Sequence, residues 1–177
     1  MGLAYSFRSA CKRIDGLDVD ERKTLRHICR EIRRSQAALT DRAGPILARC
    51  MADCRGLCCR NIRVADIVTE WDLVYILALA PQLRKSMAAC LAAEGLFTQD
   101  CLFLESGVGP CLFPEHIRPE RCVISFCRVE PLVEKEIGTV MRAFSRLIRF
   151  FRLRPCRRLL RRWRPAPAAV RSQGPDR

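Results

Sequence analysis

Cysteine is the residue of this chain whose number and spacing could do chemistry. The 177-residue sequence contains 12 cysteines, and eight of them form two groups of four, spaced C-x3-C-x3-C-C and C-x9-C-x10-C-x4-C. Four thiolates can close a tetrahedral shell around Zn²⁺, and four can also hold an iron–sulfur cluster. We therefore predict a site for Zn²⁺ or an iron–sulfur cluster, with the choice between them undecided. The predicted ligands are Cys50, Cys54, Cys58, Cys59, Cys101, Cys111, Cys122 and Cys127.

The first group has a spacing that allows two local geometries. On a helix, residues four apart share a face, so Cys50, Cys54 and Cys58 could present their sulfur atoms in a row. Alternatively, Gly56 could let the backbone tighten around a metal ion. Cys58 and Cys59 are adjacent and point in different directions, so one of them could serve a second metal or bridge two.

Two other interpretations apply to cysteines. Free cysteines are often small buried hydrophobic residues, which is the interpretation we favour for the four isolated ones. These are Cys11, Cys29, Cys90 and Cys156. A disulfide framework is the remaining alternative. It would need an oxidising compartment, and the adjacent Cys58 and Cys59 suit it poorly.

The cysteine-rich sequence resembles a known family. CMADCRGLCC, followed by TEWDL and by CLFLESGVGPCLFPEHIRPERCVISFC, is similar to the YkgJ-like cysteine-cluster proteins. The resemblance covers about residues 49–127 and includes Arg118 and Pro119 of the RPERC step together with the eight grouped cysteines. It differs in the opening, where x3 gaps replace x2. The resemblance implies a zinc- or iron-chelating domain without naming the ion.

The sequence contains no catalytic motif that would assign an activity. The same cysteine cluster occurs in flagellin lysine N-methylases, but the chain has no G-x-G-x-x-G sequence for a methyl donor. We also find no Ser-His-Asp set, paired-carboxylate site, P-loop or HExxH motif. We therefore assign no catalytic and no cofactor-binding residue and leave open whether the protein is an enzyme. His116 could replace a sulfur ligand or have a structural role. Arg118 and Arg121 could stabilise nearby thiolates or be surface residues.

The net charge of +13 is concentrated near the C-terminus. Residues 142–164 contain ten Arg and no acid, whereas residues 1–141 contain 20 basic and 18 acidic groups. Such a segment could bind an anionic membrane surface or nucleic acid through residues 142–164. For residues 131–151 we favour a helix packed on the domain with a solvated basic face. For residues 152–164 we favour the membrane surface, because Leu159, Leu160 and Trp163 alternate with Arg.

The pattern of apolar and turn residues predicts mostly helices. A first helix would be capped by Asp20, carry Leu25, Ile28 and Ile32 on its apolar face, and end at the DRAGP sequence of residues 41–45. Thr69 and Asp72 form a capping box ahead of the buried helix LVYILALA. Pro81 starts another helix, from Gln82 to about Ala93, which Gly95 stops.

The second half of the chain contains an irregular segment followed by one long helical pattern. Between Gly95 and Cys127 we expect loops and a small hairpin. Because few residues of this segment can form an ordinary hydrophobic core, we expect another interaction to hold it in place. The last helix should run from about Pro131 to Arg154. Its predicted apolar face consists of Val133, Ile137, Val140, Met141, Phe144, Ile148 and Phe151. Pro155 interrupts this helix, and residues 165–177 have the composition of a disordered tail.

Length and composition limit the class of protein. With 49% hydrophobic residues the chain can form a sizeable core, and 177 residues suggest one domain. No apolar run approaches the roughly 18 residues that span a bilayer. The N-terminus lacks the apolar stretch of a signal peptide, so we expect a cytoplasmic protein, with a peripheral position at the membrane as the alternative.

These observations define the predicted architecture. The fold class is mainly α, a small single helical domain with an irregular, metal-stapled central segment and a basic C-terminal helix. The segments are 1–45 (helical), 46–130 (cysteine cluster), 131–164 (basic amphipathic helix) and 165–177 (tail). The predicted function is structural metal binding or metal handling. The alternatives are an iron–sulfur redox or methyl-transfer enzyme, and an adaptor that binds through the Arg-rich C-terminus.

Overall fold

Helices make up most of the described residues, so the mainly α fold of a small domain predicted from the sequence is confirmed. The computed structural model describes residues 2–53, 63–92, 101–105, 110–126 and 131–156, with the side chains of residues 49–53 left out. None of the helices in these ranges combines the length and the apolar character needed to cross a bilayer. The helices are α1 (Leu3–Asp15), α2 (Val19–Asp53), α3 (Val64–Ile67), α4 (Glu70–Leu79), α5 (Arg84–Ala92), α6 (Glu120–Ile124) and α7 (Pro131–Arg152), with a 3₁₀ turn at Pro81–Leu83 before α5.

The two longest helices, α2 and α7, pack against each other in antiparallel orientation. Each carries a stripe of buried side chains at alternating spacings of three and four, which is the spacing of a helix face that contacts another helix. Polar contacts fix the direction: the backbone oxygen of Leu132 lies near Arg42, and Arg146 pairs with Glu31 at 2.9 Å. The buried stripe of α2 consists of Leu25, Cys29, Ile32, Gln36, Leu39 and Ala43.

Helix α2 continues through the DRAGP sequence, so the break predicted at residues 41–45 is wrong. Pro45 lies inside the helix. Proline there removes one backbone hydrogen bond, but Pro45 is exposed, so water can reach the carbonyl group that loses its partner. On the other side of the helix, Leu39 and Ala43 are buried and Ile46 packs against the core. Packing of this apolar side therefore outweighs the local cost of the proline.

The start of α2 also differs from the prediction, because Asp18 and not Asp20 is the capping residue. The carboxylate of Asp18 accepts a hydrogen bond from the backbone N–H of Glu21 at 2.7 Å. The Glu21 carboxylate accepts one from the backbone N–H of Asp18 at 3.1 Å. This reciprocal pair is a capping box at the start of α2.

The prediction for α4 and α5 is confirmed. Thr69 and Asp72 form a capping box at the start of α4, and residues 72–77 are all buried. Pro81 opens the next helical segment through a 3₁₀ turn, after which α5 ends at Ala92. Gly95, the predicted stop, lies outside the described residues.

Helix α7 forms as predicted, ending at Arg152, but its buried face is rotated from the predicted one. Val133, Val140, Phe144 and Phe151 are buried as expected, whereas Met141 is 49% exposed. The residues missed are Ala143, Leu147 and Phe150. On the same helix, the Phe144 ring meets Tyr75 of α4 edge-on at 5.3 Å between ring centroids. A second contact joins Trp71 and Phe151 at 5.6 Å between ring centroids.

Two of the four isolated cysteines are core residues, as predicted for them. Cys11 and Cys29 are buried among the apolar side chains of α1 and α2. Burial raises the pKa of the Cys29 thiol, so it stays protonated. Cys90 is half-buried, and Cys156 is exposed, so the buried interpretation is wrong for Cys156.

Candidate metal centre

The structure describes three of the eight predicted ligands with their side chains. Cys101 and Cys111 are half-buried and Cys122 is exposed. Cys50 lies near the C-terminal end of α2, and its side chain is not described. Cys54, Cys58, Cys59 and Cys127 lie outside the described residues. Within the described part of the chain, no three or more His, Cys, Asp or Glu side chains come close enough to hold a metal ion.

Cys101 and Cys111 belong to a short hairpin-like segment. Leu104 and Cys111 form a single antiparallel bridge, in which the backbone N–H of Leu112 donates to the oxygen of Phe103 at 2.8 Å. The rings of Phe103 and Phe113 lie 4.6 Å apart and are both buried. This segment therefore contributes to the hydrophobic core, contrary to the expectation that it contains little ordinary core.

Two buried polar side chains hold the backbone that follows. The Gln36 amide in α2 donates to the oxygen of Arg118 at 2.7 Å and accepts from the N–H of Arg118 at 3.2 Å. The Tyr75 hydroxyl lies 3.0 Å from the oxygen of His116 and 3.2 Å from the Gln36 oxygen, and it donates to one of them at a time. Gln36 and Tyr75 are both fully buried. Because buried amides and hydroxyls need partners, these bonds tie residues 116–118 to α2 and α4.

Asp72 provides the next anchor along the same segment. Its carboxylate accepts from the backbone N–H of Glu120 at 2.7 Å, in addition to the bonds with Thr69 in the capping box. Glu120 is the first residue of α6, the helix that carries Cys122. Helix α4 thus positions the start of α6 through one buried side chain.

The two carboxyl groups at this point have raised pKa values. Burial raises the pKa of Asp72, although the hydrogen bonds from Thr69 and Glu120 oppose it. Burial, followed by the negative charge of Asp72, raises the pKa of Glu120 to about 7, and Arg121 acts in the opposite direction. Burial and the neighbouring Asp72 charge thus both disfavour ionisation of Glu120.

Two buried nitrogen atoms beside these anchors have no hydrogen-bond partner within the described residues. They are Nδ1 of His116 and Nε of Arg118, and no other buried side-chain nitrogen or oxygen of the described part shares this property. Both lie in the sequence between Cys111 and Cys122. Since buried polar atoms are rarely left unsatisfied, a further group is expected to face this position.

Gln36 and Tyr75, which hold this segment, are not predicted as functional residues from the sequence. In the sequence, Gln36 is a polar residue within a basic helix, and Tyr75 is an ordinary member of a buried helix, so neither stands out locally. Their partners are 82 and 41 residues away in the chain. One available signal was that Gln36 falls on the apolar stripe of α2, four residues after Ile32. Because an uncharged polar residue on a buried stripe must find a hydrogen-bond partner, this position marks a contact with another segment.

Comparison of the chain with protein-family models, with curated proteins and with solved structures found no match in any of the three. The similarity to the YkgJ-like cysteine-cluster proteins stays a prediction that depends on the residues quoted for it.

Proposed function

We propose that this protein is a metal-binding cysteine-cluster protein with a role in metal handling or in holding its own structure. Zn²⁺ or an iron–sulfur cluster would be held by Cys50, Cys54, Cys58, Cys59, Cys101, Cys111, Cys122 and Cys127. Zinc would be a redox-inert centre closed by thiolates, whereas an iron–sulfur cluster would supply one-electron chemistry.

The observation that supports the proposal most is that two buried nitrogens, Nδ1 of His116 and Nε of Arg118, find no hydrogen-bond partner among the residues that the structure describes. A thiolate-rich metal site beside them would satisfy both atoms. The Arg118 guanidinium would donate to a thiolate and offset its charge, and His116 Nδ1 could accept a hydrogen bond or replace one sulfur as ligand.

The way the central segment is anchored bears on the role of the metal. Within the described residues, Phe103 and Phe113 pack with both rings buried, and Arg118 and Glu120 are hydrogen-bonded to side chains of α2 and α4. None of these contacts involves a metal, which supports metal handling over a role in holding the fold. The proposal is therefore that the metal binds to a helical domain that is already folded, and not that the fold exists only with its metal.

A redox or methyl-transfer enzyme is the alternative function, and it requires an iron–sulfur cluster. The absorption spectrum distinguishes the two proposals. A visible band that bleaches on reduction would favour the enzyme, and a colourless zinc-loaded protein would remove it.

An adaptor function of the Arg-rich stretch from residue 152 onward is a further candidate. Arg152 and Leu153 are exposed, which suits contact with an anionic surface. Arg154 is less available, since its side chain is mostly buried and pairs with Glu21 at 2.9 Å. This candidate predicts that a chain ending at Cys156, which keeps α7, loses the binding to anionic vesicles or RNA that the full-length chain shows. Unchanged binding by the shorter chain would contradict it.

Substitution of the described cysteines tests the metal site. We expect the double variant Cys101→Ser with Cys122→Ser to lose most of its bound zinc or iron. Cys156→Ser is the matched control, because Cys156 is exposed and outside the predicted ligand set. Equal metal content in the wild type and the double variant would contradict the proposed ligands.

A further inference from the structure

The seam between α2 and α7 contains a groove whose lining includes three arginines and one carboxylate. It has a volume of about 240 Å³ and is lined by three arginines, Arg34 from α2 and Arg142 and Arg146 from α7. The Ser35 and Thr139 hydroxyls also line it. A guanidinium group can donate two parallel hydrogen bonds to a phosphate, so this set of side chains suits phosphate binding.

A second groove continues along the same seam. Arg146 lines both grooves, and Arg149 lines only the second, which has a volume of about 400 Å³. Arg142, Arg146 and Arg149 lie on one edge of α7 at spacings of four and three, so they cover about 10 Å of helix length. The seam therefore presents a row of positive charges rather than a single one.

Most of this charge is not neutralised within the described part of the protein. Among the residues lining the two grooves, the carboxylate is Glu31 in the first groove, and it pairs with Arg146. Arg142 donates to the Thr139 hydroxyl at 2.9 Å. Arg34 and Arg149 have no carboxylate partner among the described residues. Four guanidinium groups thus face one carboxylate.

The second groove also has apolar side chains at its edge. Ile28 and Leu153 line it, and Leu153 is 47% exposed. At a membrane surface, guanidinium groups can lie at the level of the lipid phosphates while an adjacent apolar side chain enters the acyl boundary. A site for single-stranded nucleic acid would instead be expected to offer exposed aromatic rings for stacking. The aromatic residue lining these grooves, Phe150, is buried.

From this combination we propose that the α2–α7 seam is a binding site for the phosphate groups of anionic lipids, which would place this face of the protein against a membrane surface. This site is separate from the proposed metal centre and does not depend on it. It extends the membrane contact predicted for residues 142–164 to α2, and it shares only Leu153 with the Arg-rich stretch from residue 152 onward.

Vesicle co-sedimentation of the full-length chain tests this proposal. We expect binding to phosphatidylcholine vesicles that contain phosphatidylglycerol, weakening with added salt, and none to pure phosphatidylcholine vesicles. The double variant Arg142→Gln with Arg149→Gln should bind about 30-fold more weakly. The matched control is Arg26→Gln with Arg33→Gln, which removes the same charge from exposed positions of α2 that line neither groove.

Two further measurements separate a lipid site from other anion sites. Leu153→Gln should weaken vesicle binding about tenfold, because it removes an apolar side chain from the acyl boundary. The same substitution should leave binding to inorganic phosphate unchanged. The proposal is overturned if the seam variant and the control lose equal affinity, or if the wild type binds single-stranded RNA but not the anionic vesicles. Circular dichroism would show that each variant is folded.

Discussion

The Oδ1 atom of Asp72 lies 2.7 Å from the backbone nitrogen of Glu120, a residue 48 positions further along the chain. The other carboxylate oxygen of Asp72 accepts the hydrogen bonds of the Thr69 cap. One buried side chain therefore serves two helices, closing the first turn of α4 and fixing the first residue of α6. Through α6 it also determines the position of Cys122.

Removing this shared cap should be costly. We expect Asp72→Ala to lower the free energy of unfolding by about 2–4 kcal/mol, because the cap is lost and the Glu120 N–H loses its acceptor. Urea denaturation measures the change. The control is Asp66→Ala in α3, an exposed acid that should change stability by less than about 0.5 kcal/mol. A similarly small change for Asp72→Ala would show that the carboxylate does not hold α6.

The contact of Gln36 with Arg118 predicts a local effect on dynamics. Gln36→Leu keeps the size of the side chain but leaves the N–H and C=O of Arg118 without partners. Hydrogen exchange of the amides in residues 116–122 should accelerate at least tenfold, which corresponds to about 1.4 kcal/mol of lost protection. Residues 140–150 of α7 should keep their protection. Gln82→Leu, at an exposed position, is the control and should change neither region.

The rotated face of α7 can be tested by comparing two substitutions on that helix. Phe144→Ala should lower the free energy of unfolding by about 3–5 kcal/mol, since it leaves a cavity against Tyr75. Met141→Ala should cost less than about 0.5 kcal/mol, because that side chain is half exposed. Chemical denaturation of both variants decides between this orientation of α7 and the one that places Met141 in the core. Equal losses would favour the latter.

Burial of the isolated cysteines predicts their reactivity. In the native protein, iodoacetamide should modify Cys156 readily, and Cys29 only after denaturation, because Cys29 is buried and its thiol pKa is raised. Mass spectrometry of digested protein gives the rate for each site. Modification of Cys29 as fast as Cys156 would mean that the α2 stripe is not packed as described.

The sequence was most informative where a local pattern determines the structure. Thr69 and Asp72 are three residues apart and satisfy each other, so the capping box is visible without any tertiary information. Asp18 and Glu21 have the same spacing and could have been found in the same way. Pro45 shows the opposite case: a local signal for a break is outweighed by the packing of Leu39 and Ala43 on one side of the helix.

Long-range contacts account for what could not be predicted. The partners of Gln36 and Tyr75 lie in a segment dozens of residues away, and nothing in the sequence around these residues identifies it. For α7, both Met141 and Leu147 fit a helical apolar face, and only the positions of α2 and α4 decide which is buried. The eight-cysteine pattern predicts the ligands of a metal site. The structure describes the side chains of three of them, Cys101, Cys111 and Cys122, and the site itself stays a prediction.

The metal content of the protein purified without oxygen tests the central claim most directly. Metal analysis of the full-length chain should find zinc or iron at a stoichiometric level, with at least one ion per chain. Treatment with a chelator should remove the metal while the helical far-ultraviolet circular dichroism signal of the protein changes little. Absence of both zinc and iron at stoichiometric levels would contradict the proposal that these cysteines form a metal centre.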